Sequence, residues 1–151
     1  EVEAMHAHGE IDIGLSMRVA EGASKSLRRE SLAWMAAPGW QVPSRAEPLP
    51  LLVVPDNCSL RQVTEQLLRK RRVDYRVAHV ASGVAGLQSA LAAGLGVACL
   101  NESALSEGVQ LLAAPHGLPA LPRVDFHLLP PKRGEPELVA RVRELLAQQL
   151  R

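Results

Sequence analysis

The order of apolar segments along the chain predicts an α/β protein built around a largely parallel sheet. Three observations carry that prediction. Residues 51–54 (LLVV) form an uninterrupted apolar run, the pattern of a strand covered on both faces. Two stretches with helical spacing follow, one through Leu60, Val63, Leu67 and Leu68 and one through Val84, Leu87 and Leu91. Residues 73–80 and 97–100 read as strands, so the order is strand–helix–strand–helix–strand, which implies right-handed βαβ crossovers.

The flanking elements are read in the same way. Residues 2–8 fit a helix closed by Gly9, a residue that enters the left-handed region freely. Ile11, Ile13 and Leu15 alternate with Asp12 and Gly14, a short strand. Residues 32–37 form a second strand candidate, preceded by the polar, charged stretch 21–31 and broken by Pro38-Gly39. Three prolines between positions 43 and 50 mark a boundary between two lobes. Ser59 and Gln62 have the spacing of a capping box, Ser82 is expected to cap the next helix, and Gly94 to end it. Further strands are expected at 109–112 and 124–129, separated by GLPALPR. Leu138, Val139, Val142, Leu145 and Leu146 outline an amphipathic C-terminal helix with Pro136 in its first turn.

A chain of 151 residues suits one globular domain or two small lobes. Its 47% hydrophobic and 22% charged residues are ordinary for a packed protein, and with 3% aromatics the core must be Leu, Val and Ala. A formal net charge of +1 leaves no electrostatic footprint for nucleic acid. The basic run Arg69-Lys70-Arg71-Arg72 sits where cations complement the negative end of a helix dipole, and that reading is preferred to phosphate binding. No apolar run is long enough to cross a membrane, and the first residues do not form a secretory signal, so a cytoplasmic location is expected. Two cysteines make no disulfide scaffold and have no metal-ligand spacing; neither metal nor cofactor is expected.

Few residues carry recognisable chemistry. Gly94-Leu95-Gly96 follows a helix and precedes a strand, the reverse of the order a dinucleotide-binding turn needs. His6 and His8 point to different sides of a helix, and His79, His116 and His127 are dispersed without a neighbouring nucleophile motif. Cys58 lies at the mouth of a helix, where it can pack a turn, line a ligand pocket or act as a redox sensor. Cys99 belongs to an apolar strand and reads as inert core. Arg61, one turn beyond Cys58, could hold a carboxylate through a bidentate contact or simply lie on the surface. In an open α/β sheet ligands collect where helices begin at the carboxyl ends of strands. Asn57, Cys58 and Ser59, then Ser82, then Asn101 would converge there from three consecutive strands.

Taken in order, HGEIDIGLS, PLLVVPDNCSLR and VASGVAGLQSALAAGLGVACL resemble the effector domain of LysR-type bacterial transcriptional regulators over essentially the whole chain. NCSLR, the segment from His79 to Leu105 and GLPALPRVDFHLL look most like the branch containing the LrhA, HexA and PecT regulators. The resemblance implies two Rossmann-like lobes joined by crossover strands, similar to type 2 periplasmic binding proteins. Lobe I would comprise residues 1–37 and 131–151, incomplete at its N-terminus, and lobe II residues 38–130. It also implies a small, possibly anionic effector in the cleft between lobes. Its positions fall on Ser16 and Met17, on Asn57, Cys58, Ser59 and Arg61, on Ala81 and Ser82, and on Asn101, which replaces a customary proline. A dimer or tetramer formed through lobe I is expected, with Val2, Met5 and the C-terminal helix as contact surface. DNA would be reached only through a helix-turn-helix domain outside this sequence. A non-enzymatic sensor is therefore expected. The alternatives are an exported solute-binding protein of the same architecture and a small α/β enzyme using Cys58 as nucleophile. No second cysteine stands where a peroxide-sensing disulfide would need one.

Overall fold

A computed structural model describes residues 1–22, 25–112 and 117–150; His116 lies outside them. The chain divides into two compact units, Glu1–Glu30 with Arg123–Arg151, and Ser31–Pro122.

In the first unit, helix α1 (Val2–His8) ends at Gly9, whose φ of 80° closes it as expected. Strand β1 spans Leu15–Val19, not the predicted residues 11–15, and pairs antiparallel with β7 (Arg123–Leu128) from Leu15↔Leu128 to Val19↔Val124. The alternating pattern of residues 11–15 fails as a strand because its carbonyls are taken elsewhere. Lys132 Nζ donates to the Ile11 carbonyl at 2.6 Å and Arg143 to that of Asp12 at 3.3 Å. Helix α4 (Glu137–Gln149) follows, with Pro136 as its N-cap and not inside its first turn. None of its residues is buried.

Strand β2 (Arg28–Ala36) begins four residues earlier than the sequence suggests and continues into the second unit. The charged stretch can enter a strand because its charges are paired. Arg29 forms a two-pronged contact with Asp125 of β7, at 2.6 and 2.7 Å, and Arg28 pairs with Glu30 at 2.6 Å. Asp125 is 1% exposed, so this carboxylate depends on its guanidinium partner.

In the second unit β3 (Leu49–Val53) and β4 (Tyr75–Val80) run parallel, joined by α2 (Ser59–Lys70). Helix α3 (Val84–Ala92) leads into β5 (Ala98–Asn101). Val97, just before β5, bridges Leu51 in the parallel sense. The expected largely parallel sheet is corrected here, because parallel pairing is confined to this βαβαβ segment. β2 takes β5 and the short β6 (Gln110–Leu111) as antiparallel neighbours. Crossover helices force parallel pairing only between the strands that they connect. Leu51, Leu68, Leu87, Leu91 and Leu100 are all at most 1% exposed and form the core of this unit. Val63 and Leu67 are half-buried, and Val84 is exposed, so the helical stripes are narrower than the sequence implies.

Two helix starts also differ from expectation. Cys58, not Ser59, is the N-cap of α2, and Gln62 donates to the Asp56 carbonyl at 3.1 Å instead of closing a capping box. Gly83, not Ser82, is the N-cap of α3. At its far end α3 closes as predicted, with Gly94 at φ 75°. Gly96 is needed for another reason: a Cβ there would lie 2.2 Å from the Pro50 carbonyl oxygen.

Candidate functional site

In the second unit three parallel chain segments leave the sheet at the same edge. β3 and β4 end together at Val53↔Val80, and the bridge from Val97 to Leu51 carries β5 out in the same direction. The Ala81 N–H donates to the Val53 carbonyl at 2.9 Å and so holds the second exit against the first. At this edge stand Asn57, Cys58 and Ser59 after β3, Ala81 and Ser82 after β4, and Asn101 at the end of β5.

Local geometry explains each position. Pro55 cannot continue a strand ladder, and its carbonyl accepts from the Cys58 N–H at 3.1 Å in a tight turn. That turn sets Cys58 in an extended conformation, half-buried, with Asn57 and Ser59 exposed on either side. Ala81 is buried, and Ser82 beside it is exposed. Asn101 is half-buried and bonds the Ser103 hydroxyl. Neither α2 nor α3 has a side-chain cap bond or an acidic residue in its first turn. The positive ends of both helix dipoles therefore lie at this edge with no acidic residue in either first turn.

Arg61 is half-buried and already engaged. Its Nε donates to Glu65 Oε1 at 2.8 Å and its Nη1 to the Val54 carbonyl at 3.1 Å. The Arg61 hydrogen bond, then its charge, and lesser contacts with Tyr75 and Arg69 hold the Glu65 carboxyl below its ordinary range, against a burial cost that raises it. Beneath this pair Cys99 faces Thr64, and burial pushes its thiol up to about 12. The void there, lined in part by Arg61, Thr64 and Cys99, is about 10 Å³, too small for a metabolite.

Ser16 and Met17 belong to the first unit, where they face His127 and Phe126 in the β1–β7 ladder. Ser16 is 9% exposed, and its hydroxyl has no hydrogen-bond partner among the described residues. Sequence reasoning did not single out Gln88, whose amide donates to the Ala104 carbonyl at 2.8 Å. That bond fastens α3 to the 3-10 turn Glu102–Ala104 that follows Asn101. The signal available was a polar side chain directly after the buried Leu87. Among the described residues no group of three His, Cys, Asp or Glu is placed to hold a metal. Among the same residues no helix is long and apolar enough to cross a membrane.

Known proteins share both sequence and fold with this chain. The HTH-type transcriptional regulator DgdR of Burkholderia cepacia is 32% identical over 120 residues, covering 78% of this chain and 40% of DgdR. This chain thus spans about two-fifths of that relative's length. The regulatory domain of Synechocystis PCC6803 CcmR, solved in complex with 2-PG, superposes with a TM-score of 0.68 at 14% identity, covering 99% of this chain and 78% of that one. The bromide-bound regulatory domain of Salmonella typhimurium HypT gives a TM-score of 0.67 at 18% identity, covering 97% and 77%. Vibrio fischeri DarR, solved in complex with DNA, gives 0.71 at 14% identity, covering 96% and 53%. These likenesses establish the α/β, periplasmic-binding-protein-like fold. The LysR substrate binding domain matches residues 1–151, and the chain belongs to that family.

Proposed function

We propose that this chain is the effector-sensing part of a DNA-binding transcriptional regulator and that its effector is a small anion. The observation that carries the reading is the shared edge of β3, β4 and β5. There Asn57, Ser59, Ser82 and Asn101 supply polar side chains around two helix N-termini whose first turns hold no acidic residue. Oriented N–H groups and the dipole favour an anion at such an edge. The relatives are consistent with this, since HypT was solved with bromide and CcmR with 2-PG. We assign Cys58 and Ala81 to the walls, and Arg61 a contact through Nη2, which its bonds to Glu65 and Val54 leave as donor. Ser16 and Met17 are proposed as ligand-binding positions of the first unit, which we equate with lobe I.

The regulatory function requires the rest of a longer protein. DNA contact belongs to a helix-turn-helix domain, and the location is the cytoplasm. Self-association runs through the first unit, where Leu138 is 74% exposed and Leu145 53% on the face of α4. On the motifs NCSLR and GLPALPRVDFHLL we place the chain nearest the LrhA, HexA and PecT branch.

The test is thermal unfolding of the chain against small carboxylates, phosphates, amino acids and neutral metabolites. A ligand specific for the folded state stabilises it by about 2.7 kcal/mol at a hundredfold excess over its Kd. The expected result is a saturable rise in Tm with an anion that is reduced by Asn57→Ala and by Ser82→Ala. No rise with any anion, or a rise indifferent to both substitutions, would remove the site from this edge.

A further inference from the structure

We propose that the second unit has another binding site, for a small organic polyanion, at the opposite end of the same strands. A cavity of about 430 Å³ opens beside the amino ends of β3 and β4. Arg45 enters it from the loop before β3, and Arg71 and Arg72 from the end of α2. Glu47 and Asp74 line it too, yet among the described residues no ion pair or hydrogen bond engages any of the three guanidinium groups. Buried Leu49 and Leu118 give it an apolar wall. The volume lies in the range that small-metabolite sites occupy.

Arg72 is the second, independent sign. Its φ of 54° makes it the one described residue other than glycine in the left-handed region. It holds the position two residues past the end of α2 that Gly94 holds after α3. Glycine takes that conformation without steric penalty, whereas an L side chain is strained in it. The side chain is not needed to close the helix. The backbone does this, with the Arg72 N–H donating to Arg69 and the Val73 N–H to Leu68, both at 3.0 Å. A strained residue kept where glycine would serve marks a position whose side chain has a use. Arg72 lines the cavity as its third cation.

The arrangement specifies a chemical class. Forked guanidinium groups match carboxylate or phosphate oxygens in pairs, so three of them suit a ligand with at least two anionic groups. Glu47 and Asp74 reduce the side-chain charge of the cavity from three positive to one positive and can accept from a ligand hydroxyl or ammonium. A hydroxylated di- or tricarboxylate, or an organic phosphate, fits both requirements. β3 joins this end to the effector edge over about 13 Å at ~3.3 Å per residue. A ligand at either end would thus act on the same strands, and any coupling would be reciprocal.

Titration calorimetry at fixed ionic strength tests the proposal, with citrate and inorganic phosphate as probes. The wild-type chain should bind citrate saturably, and R71Q/R72G should weaken binding at least tenfold while Asn57→Ala leaves it unchanged. Arg72→Gly suits the left-handed backbone, so Tm should stay equal or rise. If the double variant fails to fold, Arg45→Gln alone should weaken citrate severalfold. Phosphate binding tighter than citrate would assign the organic-phosphate arm. Absence of saturable binding by either probe, binding indifferent to all three arginines, or loss of binding in Asn57→Ala would overturn it.

Discussion

Helices α3 and α4 both carry apolar stripes, α3 on an almost wholly apolar helix and α4 on a charged one, yet they stand differently in their units. The nine residues of α3 bury Leu87, Ala90 and Leu91, whereas the thirteen of α4 bury none. α3 lies between two strands in the chain and packs against a third, β3, while α4 makes polar contacts near its middle. Arg143 donates to the Leu129 carbonyl and to Glu135. A helical stripe therefore states what a helix offers for burial, and the strands around it decide what is taken.

Truncation should break or sharpen that contrast most clearly. Leu91→Ala is expected to lower stability by ~2–5 kcal/mol in denaturant unfolding, the range for deleting a buried leucine side chain. In the dilute monomer, Leu138→Ala in α4 should change it by no more than about 0.5 kcal/mol, and by more at concentrations where the chain self-associates. Equal losses in the monomer would mean that α4 is covered within its own unit.

Glycines should follow the same division with a smaller effect. Gly96→Ala drives a methyl into the Pro50 carbonyl and should cost ~1–3 kcal/mol or more. At Gly134, before α4, nothing lies within 4 Å of a built Cβ and only its φ of 77° opposes a side chain. Gly134→Ala should then cost about 1 kcal/mol. A Tm loss at Gly134 as large as that at Gly96 would show that the α4 region is packed more tightly than its exposure implies.

Ion pairs provide the next comparison. Glu65 and Arg61 of the second unit have side chains 15% and 17% exposed, whereas Glu3 and Arg18 of the first are 53% and 63% exposed. Both carboxyls are held below the ordinary value of 4.5, in each case chiefly by the arginine hydrogen bond. A lowered folded value means stability that is present above 4.5 and lost as pH falls through and below it. Glu65→Gln should flatten this acid limb of the Tm profile, with or without salt. Glu3→Gln should do so only weakly, and not at all in 0.5 M salt, at roughly a 4 Å screening length. Identical salt responses would erase the distinction.

The smallest change is chemical. Burial places the Cys99 thiol near 12, so it should resist alkylation in the folded chain, while half-buried Cys58 reacts. Labelling of Cys99 at the rate of Cys58 would show that the core of the second unit opens readily.

The site was legible to the extent that it depends on local chemistry. Pro55 stopping a strand, Cys58 and Ser59 opening a helix, and Asn101 ending an apolar run are all short-range events, and they place side chains at strand ends. What could not be read was engagement: Arg61 as a partner of Glu65 and Gly83 in place of Ser82 as a cap depend on where a loop turns in space. Sequence alone determined the buried strands, the three longer helices and the glycine stops, because propensity, periodicity and caps act within a few residues. Only the tertiary structure decided that β1 begins at Leu15, that β2 recruits its charged half through Asp125, and that α4 keeps its apolar face uncovered. Strand partners and coverage are set by segments that can lie more than a hundred residues away, and no local pattern encodes which of them will arrive.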